Sequence, residues 1–237
     1  MSEPIRVALV AEGPTDRIVI ESALRAMLAN RPFILVQLQP EGSIAFGNFG
    51  GGWGGVYRWC KQSSRRGSGR LSSDRLLQFD LLIVHVDADV AAANYGDANV
   101  TPDTDDLGLP CELPCPPASD TTNALRHVVC SWMGETSIPE RVILCVPSKN
   151  TEAWVVAMLF PTDPAIVAEL DFECLENPSA RLGQQSGRNR LRKAQRDYLD
   201  RAGRFELEWP RVSADAGLSE ARRFYVDVGA FVGTHLL

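Results

Sequence analysis

Short apolar runs alternate with amphipathic segments along the first two thirds of the chain. The pattern predicts strands at residues 5–10, 33–38, 80–86 and 141–147. It predicts helices at residues 15–29, 122–132 and 151–159. A chain in which strand and helix alternate in this way favours an α/β fold, with a mainly parallel sheet flanked by helices.

The segments between these elements are interpreted from their turn residues. Residues 42–55 are rich in glycine and residues 90–119 in Asp, Pro, Gly and Asn, so both are predicted to be loops. Thr15 or Asp16 is expected to cap the first helix. The chain is then divided into an α/β domain over residues 1–160 and a mostly helical C-terminal extension over residues 161–237, packed on the same domain.

The composition is that of an ordinary globular protein, with 45% hydrophobic and 23% charged residues in a chain of 237. Among the six cysteines, Cys111 and Cys115 have no second ligand pair nearby, which disfavours a zinc site. The sequence has no signal-peptide pattern and no apolar run of the ~20 residues that span a membrane. We therefore expect a cytoplasmic protein with reduced thiols and no membrane partner.

Charge is distributed unevenly around a net value of −6. Residues 58–75 carry six basic side chains and one acid, and residues 181–204 carry eight basic side chains and two acids. Such segments on an acidic body fit local contacts with phosphates, although a solvated helix face fits the second segment nearly as well. Five of these side chains are expected to bind nucleic acid, either DNA or RNA: Arg188, Arg190, Arg192, Lys193 and Arg196.

Acidic residues follow three of the four predicted strands. Glu12 and Asp16 come after the first strand, Asp87 and Asp89 after the third, and Glu152 after the fourth. Ligands of parallel sheets bind at the carboxyl ends of the strands. Alternation along an extended chain would direct Asp87 and Asp89 to one ion. Carboxylates gathered there repel one another unless a cation neutralises them, and their hard oxygens favour Mg²⁺ or Mn²⁺.

Three motifs in this order resemble the TOPRIM domain of topoisomerases, primases and OLD-family nucleases. They are E-G-P-T-D at residues 12–16, D-A-D at residues 87–89, and the Glu of P-S-K-N-T-E-A-W-V-V-A-M-L at residues 147–159. The last motif resembles that of small TOPRIM-like proteins, which accompany ABC- or AAA-type ATPases in bacterial anti-phage systems. The resemblance implies a TOPRIM-like sheet and a Mg²⁺-dependent nuclease, with such an ATPase as a partner.

The resemblance also implies a role for each matching residue. Glu12 would act as a general acid or base, or as a metal ligand. Asp87 and Asp89 would hold the divalent ion, and Glu152 would match the late acid of the nuclease branch. Lys149 would steady charge on the scissile phosphate. Asp16 is expected to cap its helix instead of binding metal.

Other interpretations stay open at this point. The chain also suits a regulatory subunit that keeps the fold and acts only with an ATPase partner. A receiver-like or phosphatase module would use Asp87 with Lys149 and Thr151, but it would leave Glu12 without a role. The D-A-D motif alone is also typical of a turn that ends a strand. His85, inside a predicted strand, and Trp154 are expected to be core residues.

Overall fold

The protein contains a four-stranded sheet in which every neighbouring pair of strands is parallel. The structure is a computed structural model that describes residues 3–40, 48–66, 76–164, 172–215 and 217–235. In spatial order the strands are β2 (Phe33–Gln39), β1 (Ile5–Val10), β3 (Leu81–His85) and β4 (Val142–Cys145). The predicted α/β class with a parallel sheet is therefore confirmed.

Eight helices flank this sheet within the described residues. They are α1 (Pro14–Met27), α2 (Gly52–Arg66), α3 (Ala118–Trp132), α4 (Thr151–Leu159), α5 (Pro178–Gln184), α6 (Gln195–Leu199), α7 (Ala202–Ala214) and α8 (Ser219–His235). Short 3₁₀ turns occur at Ala88–Ala92, Tyr95–Ala98, Phe172–Cys174 and Gly187–Asn189. No described helix combines the length and the apolar character needed to cross a membrane.

The order of the strands brings the predicted acidic segments to one edge. β1 and β3 are neighbours and pair from Val7 with Leu81 to Val10 with Val84. β3 pairs in turn with β4, so that His85 lies beside Cys145. Because all the strands run in the same direction, the residues that follow β1, β3 and β4 leave the sheet at the same edge.

Helix α1 begins earlier than predicted. Pro14 is its first residue, and Gly13 occupies the N-cap position without a side-chain cap, so the prediction of Thr15 or Asp16 as the cap was wrong. Proline suits the first position of a helix because its φ angle is preset and its missing amide hydrogen needs no partner there. The Asp16 side chain, in the first turn, is therefore not used for capping.

Helix α2 begins inside the segment that was predicted to be a loop through residue 55. A side chain at Gly55 would collide with the carbonyl of Gly50 and the amide of Gln39. Glycine at this position therefore serves the close packing of α2 on β2. Residues 42–47 of the predicted loop lie outside the described residues. The other predicted loop, residues 90–119, overlaps the 3₁₀ turn at Ala88–Ala92 and contains the turn at Tyr95–Ala98 and the start of α3.

Two apolar clusters fill the space on the two faces of the sheet. Alternate residues of β3 divide between them, with Leu81 and Ile83 on one face and Leu82 and Val84 on the other. The first face is covered by α1, α4 and the C-terminal helices, and the second by α2 and α3. Trp154 is buried on the first face, as predicted. Its ring centroid lies 5.3 Å from that of Trp209 in α7 and 6.1 Å from that of Phe224 in α8.

A buried polar network joins α8 to α3. The guanidinium of Arg126 pairs with the carboxylate of Glu220, whose other oxygen accepts a hydrogen bond from the Thr122 hydroxyl at 2.7 Å. Glu173 accepts hydrogen bonds from the amide of Glu220 at 3.0 Å and from the hydroxyl of Ser219 at 2.5 Å. A network of this kind specifies one orientation of α8, because each member loses its partner if the helix shifts.

Candidate metal centre

Carboxylates from separate elements meet just beyond the ends of β1 and β3. The Oε1 atom of Glu12 accepts a hydrogen bond from the backbone amide of Asp87 at 2.8 Å. Asp16, in the first turn of α1, and Asp87, after β3, are both buried. Glu12 and Asp87 therefore lie together, as predicted. Asp16 lies beside them, contrary to its predicted role as a cap.

Thr151, the first residue of α4, holds two of these carboxylates in place. Its hydroxyl donates to Asp16 Oδ1 at 2.6 Å, and its backbone amide donates to Asp87 Oδ1 at 3.1 Å. All three residues are buried. Charge-assisted hydrogen bonds of this length are among the stronger ones in proteins. The N-terminus of α4 thus fixes the separation of two acids that lie 71 positions apart in the sequence.

His85, the last residue of β3, belongs to the same cluster. Its side chain is fully buried, and neither ring nitrogen has a hydrogen-bond partner within the described residues. The Nε2 atom lies 3.1 Å from Asp87 Oδ1, but not along the direction that a hydrogen bond requires. One donor atom each from Asp16, His85 and Asp87 lies within 4.8 Å of the others. The prediction that His85 is a core residue therefore misses its place among the acids.

Burial and mutual repulsion perturb the ionisation of this cluster. Burial raises the pKa of Glu12 well above its usual value, and the charges of Asp87 and Asp16 add to the effect. Burial also raises the pKa of Asp87, despite the opposing influence of His85. Burial alone would lower the pKa of His85, but the neighbouring carboxylates raise it above its usual value. Burial is the main cause for Glu12 and Asp87, and the mutual repulsion of the carboxylates adds to it; a bound cation would relieve both effects.

Asp89 lies at the rim of the cluster. The chain leaves the extended conformation after Asp87, which is the N-cap of a 3₁₀ turn, so the strand-like alternation predicted for residues 87–89 was wrong. Asp87 is buried, whereas Asp89 is exposed. Burial raises the pKa of Asp89, Lys193 lowers it and Glu152 raises it again. Asp89 therefore interacts electrostatically with Lys193 and Glu152.

Glu152 is buried and has its partners in the C-terminal extension. Its Oε1 accepts a hydrogen bond from the Tyr198 hydroxyl at 3.1 Å and lies 3.1 Å from Lys193 Nζ. Its Oε2 is buried and has no partner within the described residues. The sequence placed Glu152 at a helix start, but it gave no signal for Tyr198, which is distant along the chain.

Lys149 has a left-handed backbone conformation, with φ of 58°. Its carbonyl accepts a hydrogen bond from the amide of Asp89 at 2.9 Å, and its Nζ lies 3.3 Å from Glu112 Oε1. A non-glycine residue in this region of φ is uncommon and is often found at functional sites. The ammonium group is paired with Glu112, in the loop over residues 99–117 that joins the 3₁₀ turn at Tyr95–Ala98 to α3, so its implied role at a phosphate remains a prediction.

The five predicted nucleic-acid-binding residues have different surroundings. Lys193 contacts the site through Glu152, and its side chain remains 57% exposed. Arg190, Arg192 and Arg196 are exposed on the same segment. The side chain of Arg188 lies outside the described part of the structure. Only the position of Lys193 beside the acids is therefore established.

The other basic segment lies against the acidic loop that follows Asp89. Lys61 Nζ is 3.0 Å from Asp103 and 2.8 Å from Asp106, and Arg65 also pairs with Asp103. Residues 67–75 of this segment lie outside the described residues. Within the described part, these two cations of α2 are thus neutralised by the protein itself.

Cys115 and Cys174 form a disulfide, with their Cα atoms 5.6 Å apart. The prediction that all the thiols are reduced was therefore wrong. The bond joins the 99–117 loop to the turn at Phe172–Cys174, two segments that the sequence alone gives no reason to place together. Because its sulfur is in the disulfide, Cys115 cannot bind zinc together with Cys111.

The chain matches no protein-family model, no curated protein and no solved structure. The TOPRIM resemblance therefore stays an expectation that rests on its three motifs. The function has to be argued from the chemistry of the site itself.

Proposed function

We propose that this protein is a metal-dependent nuclease that hydrolyses phosphodiester bonds at the carboxylate cluster. The observation that carries the proposal is the meeting of Glu12, Asp16 and Asp87 at one edge of the sheet, with two of them bridged by Thr151. Burying several like charges together is unfavourable. Such an arrangement is typical of sites where the charge serves to bind a cation or to move a proton.

The donor atoms of the cluster fit a divalent cation, Mg²⁺ or Mn²⁺. Asp16 and Asp87 would hold the ion, with Glu12 beside them, the exposed Asp89 at the rim and the buried Glu152 next to Lys193. Hard carboxylate oxygens suit these ions. A bound divalent cation polarises a phosphate and lowers the pKa of water, which is the chemistry that phosphodiester hydrolysis needs.

Glu12 is the best-placed residue for proton transfer. It is only partly buried, while the pKa of its carboxyl is raised by burial and by the charges of Asp87 and Asp16. A carboxyl group with a raised pKa holds its proton more readily, which suits a general acid or base. Its hydrogen bond from the Asp87 amide fixes Oε1, so that the orientation of the group is set before a substrate arrives.

The C-terminal extension would supply the positive charge that a phosphate needs at this site. Carboxylates repel phosphate, and Lys193 places an exposed ammonium group 3.1 Å from Glu152. The exposed Arg190 and Arg192 continue the positive charge along the same segment. A run of such cations would contact the backbone of DNA or RNA without reading its sequence.

A cleavage assay tests this proposal. Plasmid DNA, single-stranded RNA and tRNA would be incubated with the protein in Mg²⁺, in Mn²⁺ or in EDTA. We expect cleavage of at least one substrate with metal, none with EDTA and none by the Asp87→Asn variant. Glu208→Gln is the matched control, because it makes the same chemical change at a surface ion pair with Arg211 and should retain full activity.

Failure of the wild-type protein to cleave any substrate would contradict an autonomous nuclease. It would favour the other interpretation of the chain, a subunit that acts only with an ATPase of the ABC or AAA type. The same assay repeated with such a partner, if one co-purifies, separates a conditional nuclease from a purely regulatory subunit.

A further inference from the structure

We infer that His85 is a direct nitrogen ligand of the metal, so that the centre takes a first-row transition ion such as Mn²⁺ in preference to Mg²⁺. This inference deepens the proposed function, on which it rests for the use of the ion. It makes a separate claim about which residues bind the ion, and that claim is tested by metal binding instead of cleavage.

The first observation is that the buried imidazole has, in the described part of the chain, one ion-pair partner, Asp87, and no aligned hydrogen bond. His85 is fully buried, and neither Nδ1 nor Nε2 has a hydrogen-bond partner within the described residues. Buried polar atoms are nearly always paired in native proteins, so an unpaired one suggests an unfilled role. The ring lies on the same face of β3 as Leu81 and Ile83, yet at the strand end, where it reaches the acids.

The second observation is the spacing of the donor atoms. His85 Nε2 is 3.1 Å from Asp87 Oδ1, and one donor atom of Asp16 completes a set within 4.8 Å. Ligands bound at about 2.1 Å to one octahedral ion are roughly 3 Å apart when adjacent and roughly 4.2 Å apart when opposite. The cluster therefore has nearly the dimensions of a filled coordination sphere.

The alternative is that a charged imidazolium simply neutralises Asp87. An imidazolium would direct an N–H group at the carboxylate oxygen, as ring N–H donors do in satisfied pairs. The Nε2 atom lies within reach of Asp87 Oδ1 but outside hydrogen-bond alignment. A neutral imidazole whose nitrogen lone pair binds the same ion as the carboxylate needs no hydrogen-bond alignment between the two side chains.

The buried carboxylates are held by hydrogen bonds of the kind that surround metal ligands. Thr151 donates to both Asp16 and Asp87, and Glu12 accepts the amide of Asp87. Such outer hydrogen bonds orient the ligands of metal centres. Imidazole nitrogen binds transition ions well, whereas Mg²⁺ and Ca²⁺ prefer oxygen, so His85 would shift the selectivity of an otherwise acidic site.

Pulsed electron paramagnetic resonance of Mn²⁺ bound to the full chain tests the inference directly. The chain has only three histidines, so a nitrogen coupling of directly bound imidazole can be assigned by substitution. We expect this coupling in the wild-type protein and in a His127→Asn/His235→Asn double variant. We expect it to disappear in His85→Asn, with the Mn²⁺ dissociation constant raised more than about tenfold.

The wild-type spectrum gives an answer even if His85→Asn does not fold. Bound Mn²⁺ without imidazole coupling, or no Mn²⁺ binding at all, would overturn the inference. So would Mg²⁺ displacing Mn²⁺ at equal concentration. Cleavage without a nitrogen signal would support the proposed nuclease and show that His85 does not bind the metal. A nitrogen signal without cleavage would show that His85 binds the metal and contradict the nuclease.

Discussion

Replacing Thr151 with valine would test whether the first turn of α4 holds the acidic cluster together. Valine keeps the size and branching of threonine but removes the hydroxyl that donates to Asp16 at 2.6 Å. The backbone amide that donates to Asp87 stays in place. The change therefore removes one buried hydrogen bond to a carboxylate and little else.

The expected loss follows from that geometry. Hydrogen bonds to charged groups contribute about 1.5–3 kcal/mol, and the lost partner here leaves a buried carboxylate oxygen without its donor. For a chain of this length, about 2–4 °C in Tm corresponds to each kcal/mol, so Thr151→Val should lower the Tm by roughly 3–12 °C. Thr151→Ser keeps the hydroxyl and removes one buried methyl group, for a loss of about 1 kcal/mol.

Thermal unfolding in EDTA and Mn²⁺ titration of the same three proteins would check this prediction. Stability in EDTA should fall from wild type to Thr151→Ser to Thr151→Val. Mn²⁺ affinity should fall about tenfold in Thr151→Val alone, because outer hydrogen bonds position metal ligands. A valine variant that is as stable as the serine variant, or that binds Mn²⁺ as tightly as wild type, would refute the reasoning.

Three further predictions concern Asp87, the basic segment and the disulfide. Asp87→Asn should melt higher than wild type in EDTA and lose the gain in Tm that Mn²⁺ gives the wild type. The pKa of Asp87 is raised to about 7 in the folded protein, so its contribution to stability is fully present below the unfolded-state pKa of about 3.9 and is lost as the pH rises from there through about 7. The advantage of Asp87→Asn should therefore grow from about pH 4 to about pH 7 and level off above it. A variant less stable than wild type at every pH would mark Asp87 as a satisfied structural group. Charge reversal at Arg190 and Arg192 should weaken nucleic-acid binding and flatten the slope of log K against log salt by about 1–2, since each phosphate contact contributes about 0.9. Arg222→Glu on α8 is the control and should change neither the affinity nor the slope. Equal affinity of the double variant and the wild type at low salt would indicate that the segment is a solvated face. Cys115→Ser should lower the unfolding free energy by about 2–4 kcal/mol, because the bond closes a sequence separation of 59, whereas Cys111→Ser should have little effect; equal denaturation midpoints for the two variants would contradict this.

The sheet and its acidic edge could be predicted because both follow from local patterns. The apolar runs around Val7 and Ile83 identify strands by composition, and parallel strands necessarily share one carboxyl edge. Glu12 and Asp87 could therefore be expected to meet. The start of α2 could not be predicted, because glycine at position 55 serves packing against Gln39, which a local pattern reports only as a turn.

The members of the site that were missed depend on tertiary contacts. Asp16 is a typical capping residue, but α1 starts at Pro14 with Gly13 at the N-cap position, which leaves the Asp16 side chain for the site. The period of β3 already placed His85 on the same face as Ile83, but its lack of a hydrogen-bond partner is visible only in three dimensions. Tyr198 and Lys193 reach Glu152 because the C-terminal helices fold back over the sheet, a contact to which no spacing in the sequence points.

The central claim is that an ion bound by this cluster brings about phosphodiester cleavage. Its most direct test compares the Mn²⁺ concentration that gives half-maximal cleavage with the Mn²⁺ dissociation constant, measured on the same preparations of wild type and Thr151→Val. The account predicts that the two quantities agree in the wild-type protein and rise together, about tenfold, in the variant. Cleavage in EDTA, or a half-maximal Mn²⁺ concentration that stays constant while the dissociation constant rises, would contradict it.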